Sequence, residues 1–168
     1  SIERLYVPNH AIKQFEAILN WAVETLTMGS SNQFDFDLGA LSSSSQLTRV
    51  SEFVERAIGE GARLVTGGKV LSEIGPNFYA PTVLTDIPLG AEILHKEVFG
   101  PVIALVGYDS LDEAVELANA TEFGLNAAVF GDRKKGIEVA SRLMAGSVNV
   151  NEGYRASMAS MAAPMGGM

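Results

Sequence analysis

The sequence predicts an α/β protein: three layers, with a mainly parallel, open sheet flanked by helices. Three observations point there. Strand-like runs alternate with amphipathic helical stretches along the whole chain, and few hairpin signals interrupt them. Hydrophobic residues make up 47% of the 168 and charged residues 19%, a balance that builds a core rather than a disordered segment. The run Val102-Ile103-Ala104-Leu105-Val106 is apolar throughout, as a strand covered on both faces is.

The first strand is expected over Ile2 to Val7, ended by Pro8-Asn9. Asn9 suits the N-cap of a helix whose apolar positions are Ile12, Phe15, Leu19, Ala22 and Leu26. Met28-Gly29 closes it, and "SSNQFDFDLGALSSSS" reads as a loop. Leu47, Val50, Phe53, Val54, Ala57 and Ile58 fall on one face of a second helix, ended by Gly59 and Gly61. "ARLVTGG" reads as a short strand with a glycine turn, and "FYAPTVLTDI" as an extended stretch. Pro81 marks the latter as an edge or irregular strand, because proline cannot donate to a ladder. After the buried strand, Ser110-Leu111-Asp112-Glu113 has capping-box form and opens a helix through Asn119. "LNAAVF" is a further buried strand, Asp132 caps a helix through Met144, and "SVNVN" is the last strand. No linker or internal repeat is visible, so residues 1–168 read as one domain. Parallel sheets bind ligands beyond the carboxyl ends of their strands, and the Met-rich tail after Val150 leaves one such end.

Composition excludes several classes. A formal charge of −8 without a basic block argues against a nucleic-acid partner. The longest apolar runs are strand-length, so no membrane span or membrane partner is expected. With no cysteine there is no disulfide framework, which fits a cytoplasmic protein. His10 and His95 are too few and too far apart for a zinc site, and His95-Lys96-Glu97 lacks a third ligand. No phosphate-binding glycine loop or nucleophile elbow occurs. The start at Ser1 and the stop within "PMGGM" read as the ends of a piece of something longer.

One stretch carries chemistry. "KEVFGPV" sets Glu97, Phe99 and a Gly-Pro pair at the mouth of the buried strand. On residue chemistry alone two readings stand. Glu97 is a solvated loop acid and Phe99 a core ring; or Glu97 accepts from ligand hydroxyls while Phe99 packs on a flat ring. A carboxylate suits a ribose diol, since its two oxygens accept from both hydroxyls at once. Asn126 reads as a hydrogen-bonding residue at a strand mouth.

"KEVFGPV" resembles the E-[IV]-F-G-P-V signature of the aldehyde dehydrogenase superfamily. Further blocks resemble the family in order: "SIERLYV", "DLGAL…QLTRVSEFVERAIGEGARLVTGG", "YAPTVLTDI", "LANATEFGLNAAVF", "GSVNVN" and "APMGGM". The resemblance covers nearly all of the chain and implies the C-terminal part of a catalytic domain. It places the nucleophilic cysteine just before Ser1, with the general-base Glu and the nucleotide-binding domain earlier still. No catalytic residue therefore falls within the chain, and an oligomerisation strand would follow Met168. The implied parent enzyme uses NAD or NADP and assembles as a homodimer or homotetramer.

Carried over residue by residue, the resemblance makes Glu97 the nicotinamide-ribose ligand and Phe99 the ring beside the nicotinamide. Gln46 and Arg49 fall where members place polar side chains near that ribose, Arg49 standing for a frequent Lys. The loop after Asn151 corresponds to a wall of the aldehyde tunnel and holds Tyr154, Arg155, Ser157, Met158, Ser160 and Met161. A cation with hydroxyls there suits a distal carboxylate, and "NEGYRASMASMAAPMGG" is most similar to succinate-semialdehyde dehydrogenases. Tyr154, Arg155, Ser157 and Ser160 are thus the expected substrate contacts. Met165 departs from the family's usual Phe. The expected reaction is aldehyde to carboxylic acid through a cysteine thioester, with this chain silent alone. The rival is a non-catalytic α/β binding or assembly module that retains the fold.

Overall fold

The computed structural model describes residues 2–31 and 35–153. Residues up to Gly107 and those from Tyr108 onward form two compact units.

The first unit is built on a four-stranded sheet in the order β1-β4-β3-β2. Its strands are β1 (Arg4–Pro8), β2 (Arg63–Thr66), β3 (Thr82–Thr85) and β4 (Val102–Tyr108). β3 and β4 run parallel, pairing Thr82 with Val102, Val83 with Ile103 and Leu84 with Ala104. β2 runs antiparallel to β3, with a register shift between Leu64 and Thr66. The sheet is therefore mixed and flanked by helices.

Pro81 does not put its strand at an edge. β3 lies inside the sheet with all four residues buried. Pro81 sits one residue before the ladder, so its missing N–H removes no sheet bond; Thr82 N–H donates to Pro101 O at 2.8 Å instead. Gly67, at φ 82°, closes against Pro81 O so tightly that any Cβ would collide with it.

The first helix, α1 (Ile12–Glu24), is entered through a 3-10 turn, Asn9–Ala11. Asn9 is therefore not its cap; Ala11 holds that position without a side-chain bond. The Asn9 carboxamide lies against the backbone of Gly107 instead, in space a Cβ would fill. The second helix, α2 (Ser44–Gly59), begins at Ser43, whose Oγ accepts from Gln46 N–H at 3.2 Å. It buries Val50, Phe53, Val54 and Ala57; of the expected stripe Leu47 is only half-buried and Ile58 is exposed. With Val7, Val83, Leu84 and Leu105 these make the core of the unit.

The second unit contains α3 (Leu111–Asn119), β5 (Asn126–Val129), α4 (Arg133–Ala140) and β6 (Ser147–Val150). Ser110 Oγ accepts from Glu113 N–H, and the Glu113 carboxylate accepts from Asp109 N–H at 2.7 Å. β5 and β6 pair in parallel, from Asn126 with Ser147 to Val129 with Val150. α4 begins at the Asp132 cap and stops at Ala140, a turn earlier than expected. Asn119 draws the chain out of the helix there: its carboxamide donates to Arg142 O and accepts from Met144 N–H. Gly136 lets α4 approach β6, since a Cβ would meet Val150 at 2.9 Å.

Candidate functional site

The turn from Glu97 to Gly100 links the buried Val98 to β4 and is held from two sides. Phe99 has φ 57°, a left-handed conformation uncommon for a residue with a side chain. On one side Glu3, immediately before β1, accepts from Phe99 N–H at 2.9 Å and Val98 N–H at 3.3 Å. The strand order explains its reach: β1 neighbours β4, and Ala104 N–H donates to Glu3 O at 2.8 Å. On the other side α2 presents Gln46 and Arg49 at i and i+3 on one face. Gln46 Nε2 donates to Val98 O and Phe99 O, both at 3.0 Å, and Arg49 Nη2 donates to Glu97 O at 3.0 Å. The Arg49 guanidinium also lies 5.5 Å from the Phe53 ring centre.

Gly100 completes the junction. A Cβ there would lie 2.6 Å from Val50 Cγ2, so the close seat of the turn on α2 requires glycine. The result is a rigid backbone with two free side chains. Glu97 is exposed, and its carboxylate makes no hydrogen bond or ion pair among the described residues. Phe99 is 70% exposed, which overturns the core-ring alternative for it.

A mostly apolar cleft of about 330 Å³ is lined by Phe99, Gly100, Pro101 and Tyr79 together with Met28 and Leu38 to Leu41. Asp37 braces the segment that leads into Leu38. Its carboxylate accepts from Thr27 N–H and Thr27 Oγ1, and these bonds hold its pKa below the ordinary carboxylate value. Burial raises the Tyr79 phenol above its ordinary value, with the neighbouring Ser51 hydroxyl opposing the shift. An outward carboxylate beside a projecting ring and an apolar cleft can take a flat heterocycle carrying a vicinal diol.

The structure thus brings Glu97, Phe99, Gln46 and Arg49 together, with Gln46 and Arg49 bonded to the backbone of the turn. Tyr154, Arg155, Ser157 and Ser160 lie outside the described residues. In the second unit Asn126 Nδ2 donates to Ser147 Oγ at 2.6 Å, which is the strand-mouth bond expected of it. Glu3 was not visible as a site residue. Its only signal was an acid at the head of a strand-like run, a common surface pattern.

The chain belongs to the aldehyde dehydrogenase family, whose family model matches residues 1–168. Among its relatives is a Mycobacterium ulcerans protein named "Putative succinate-semialdehyde dehydrogenase", with NADP(+) in its name. It is 44% identical over 169 residues, covering 100% of this chain and 33% of that protein. The 3-sulfolactaldehyde dehydrogenase of Pseudomonas putida is 36% identical, covering 98% and 33%. A mutant aldehyde dehydrogenase C from Pseudomonas syringae, in complex with NAD+ and octanal, superposes with a TM-score of 0.89. It is 34% identical over 98% of this chain and 34% of that one. A betaine aldehyde dehydrogenase from Staphylococcus aureus, with NAD+, gives a TM-score of 0.91 at 32% identity, covering 98% and 33%. The chain spans about a third of the length of the curated relatives it matches.

Proposed function

We infer that this chain is part of the catalytic domain of an NAD(P)-dependent aldehyde dehydrogenase that oxidises an aldehyde to a carboxylic acid. The observation that carries the reading is the braced turn bearing Glu97 and Phe99 beside an apolar cleft. Its free carboxylate and exposed ring fit the nicotinamide riboside end of the dinucleotide, Glu97 holding the ribose diol and Phe99 packing beside the base. When bound, the dinucleotide supplies the hydride acceptor. The chain's own contribution is orientation. The bonds from Glu3, Gln46 and Arg49 keep the turn from adapting to the ligand, so the ribose is held in one position relative to the aldehyde.

The sequence has no cysteine, so the nucleophile for a thioester route belongs to the part of the protein outside this chain. The relatives named for succinate semialdehyde support that substrate. Arg155, Ser157 and Ser160, with Tyr154 beside them, supply the groups a distal carboxylate needs. A homodimer or homotetramer is the expected state of the full-length protein. The test is NAD(P)H formation by full-length protein given succinate semialdehyde and either dinucleotide. A steady absorbance rise at 340 nm supports the reading. No NAD(P)H with this or other short aldehydes returns the chain to a non-catalytic module.

A further inference from the structure

The five bonds on the 97–99 turn are not equivalent. Gln46 and Arg49 donate to its carbonyls from α2, whereas Glu3 is the one side chain among the described residues that accepts from its amides. Phe99 sits at φ 57°, and a strained conformation of this kind persists only where its surroundings over-determine it. The amide that must be held for Phe99 to stay there is its own, and that amide donates to Glu3 Oε1 at 2.9 Å. Removing the acceptor frees both amides to turn toward water and lets Phe99 relax to an ordinary φ. Glu97, one peptide upstream of Val98, would move with them.

We propose that Glu3 is a positioning residue for the dinucleotide: its carboxylate clamps the Val98 and Phe99 amides and so fixes the Glu97 carboxylate and the Phe99 ring. The proposal rests on the preceding reading that this turn faces the nicotinamide riboside. Glu3 touches neither substrate nor cofactor; it acts through Glu97. A carboxylate is needed rather than an amide, because both of its oxygens accept. In Glu3→Gln the second position becomes an NH2 facing the Val98 N–H, which replaces an attraction with a repulsion at nearly unchanged size.

The experiment is a double-mutant cycle in the full-length protein, read by single-turnover hydride transfer at saturating succinate semialdehyde. Glu3→Gln is expected to slow transfer roughly fivefold to twentyfold and to weaken NAD(P) binding, with the aldehyde KM unchanged. In a Glu97→Ala background the same change is expected to slow transfer less than twofold, because the group it positions is gone. Equal effects in both backgrounds, or no effect in either, would overturn the proposal. Hydrogen exchange at the Val98 and Phe99 amides, without cofactor, separates the two ideas. Faster exchange in Glu3→Gln with an inactive wild type sinks the aldehyde dehydrogenase reading and the cofactor role with it. Unchanged exchange with an active wild type sinks the Glu3 proposal alone.

Discussion

Gly100→Ala tests whether the turn is seated on α2 as tightly as the geometry requires. The added Cβ would stand 2.6 Å from Val50 Cγ2 and 3.1 Å from Cγ1. Val50 cannot swing aside, being fully buried at the centre of the α2 stripe. Gly100 is not among the glycines of positive φ, so alanine adds no backbone strain and the effect is steric. Overpacking of this kind costs about 1–3 kcal/mol. In proteins of 150–250 residues each 1 kcal/mol moves the thermal midpoint roughly 2–4 °C, so a drop of about 2–12 °C is expected. Separating the turn from α2 also stretches the Gln46 and Arg49 bonds, so NAD(P) binding weakens with stability. Melts of the 168-residue chain and dinucleotide titrations of the full-length protein, each as wild type, Gly100→Ala and Gly100→Ala/Val50→Ala, form the assay. Trimming Val50 opens the space and is expected to recover the dinucleotide affinity. A melting point within 1 °C of wild type in Gly100→Ala would refute the packing argument.

Other expectations follow from single groups. Burial raises the Tyr79 pKa, so its contribution to stability is complete below the ordinary phenol value near ~10 and is lost as pH rises past it. Tyr79→Phe is expected to flatten the fall in melting point between mildly and strongly alkaline buffer; an unchanged slope would remove Tyr79 from the account. Arg155→Ala is expected to lower kcat/KM for succinate semialdehyde by roughly ten- to a hundredfold, from a charge-assisted bond of ~1.5–3 kcal/mol at ~1.4 kcal/mol per decade. Butanal should be affected far less, and an unchanged ratio between the two aldehydes would end the carboxylate-binding role. This chain purified alone is expected to form no NAD(P)H from succinate semialdehyde, since it contains no cysteine. Measurable turnover would overturn that expectation.

Much of the fold was legible because its signals are local. The caps at Ser110 and Asp132 and the apolar stripe of α2 are written within a few residues of where they act. Errors came where tertiary contacts override local pattern. Asn9 has cap chemistry but is used against Gly107, and α4 ends early because Asn119, distant in sequence, binds the residues that would continue it. Pro81 misled only as an edge marker, because one residue of offset decides whether a proline breaks a ladder; the pairing of β2 with β3 is irregular. At the candidate site, residue chemistry at a strand mouth singled out Glu97 and Phe99, and the resemblance, not periodicity, favoured one of their two readings. What joins them to Gln46, Arg49 and Glu3 spans 48 to 96 residues of sequence separation, which no local pattern encodes.

The most direct test of the central claim is single-turnover hydride transfer by full-length Glu97→Gln with saturating NAD(P) and succinate semialdehyde. Charge-assisted hydrogen bonds are roughly twice as strong as neutral ones, and the substitution leaves the turn's backbone bonds untouched. If Glu97 orients the nicotinamide ribose, transfer slows while the melting point stays at the wild-type value. Unchanged transfer would make Glu97 a solvated loop acid and leave the braced turn without a ligand.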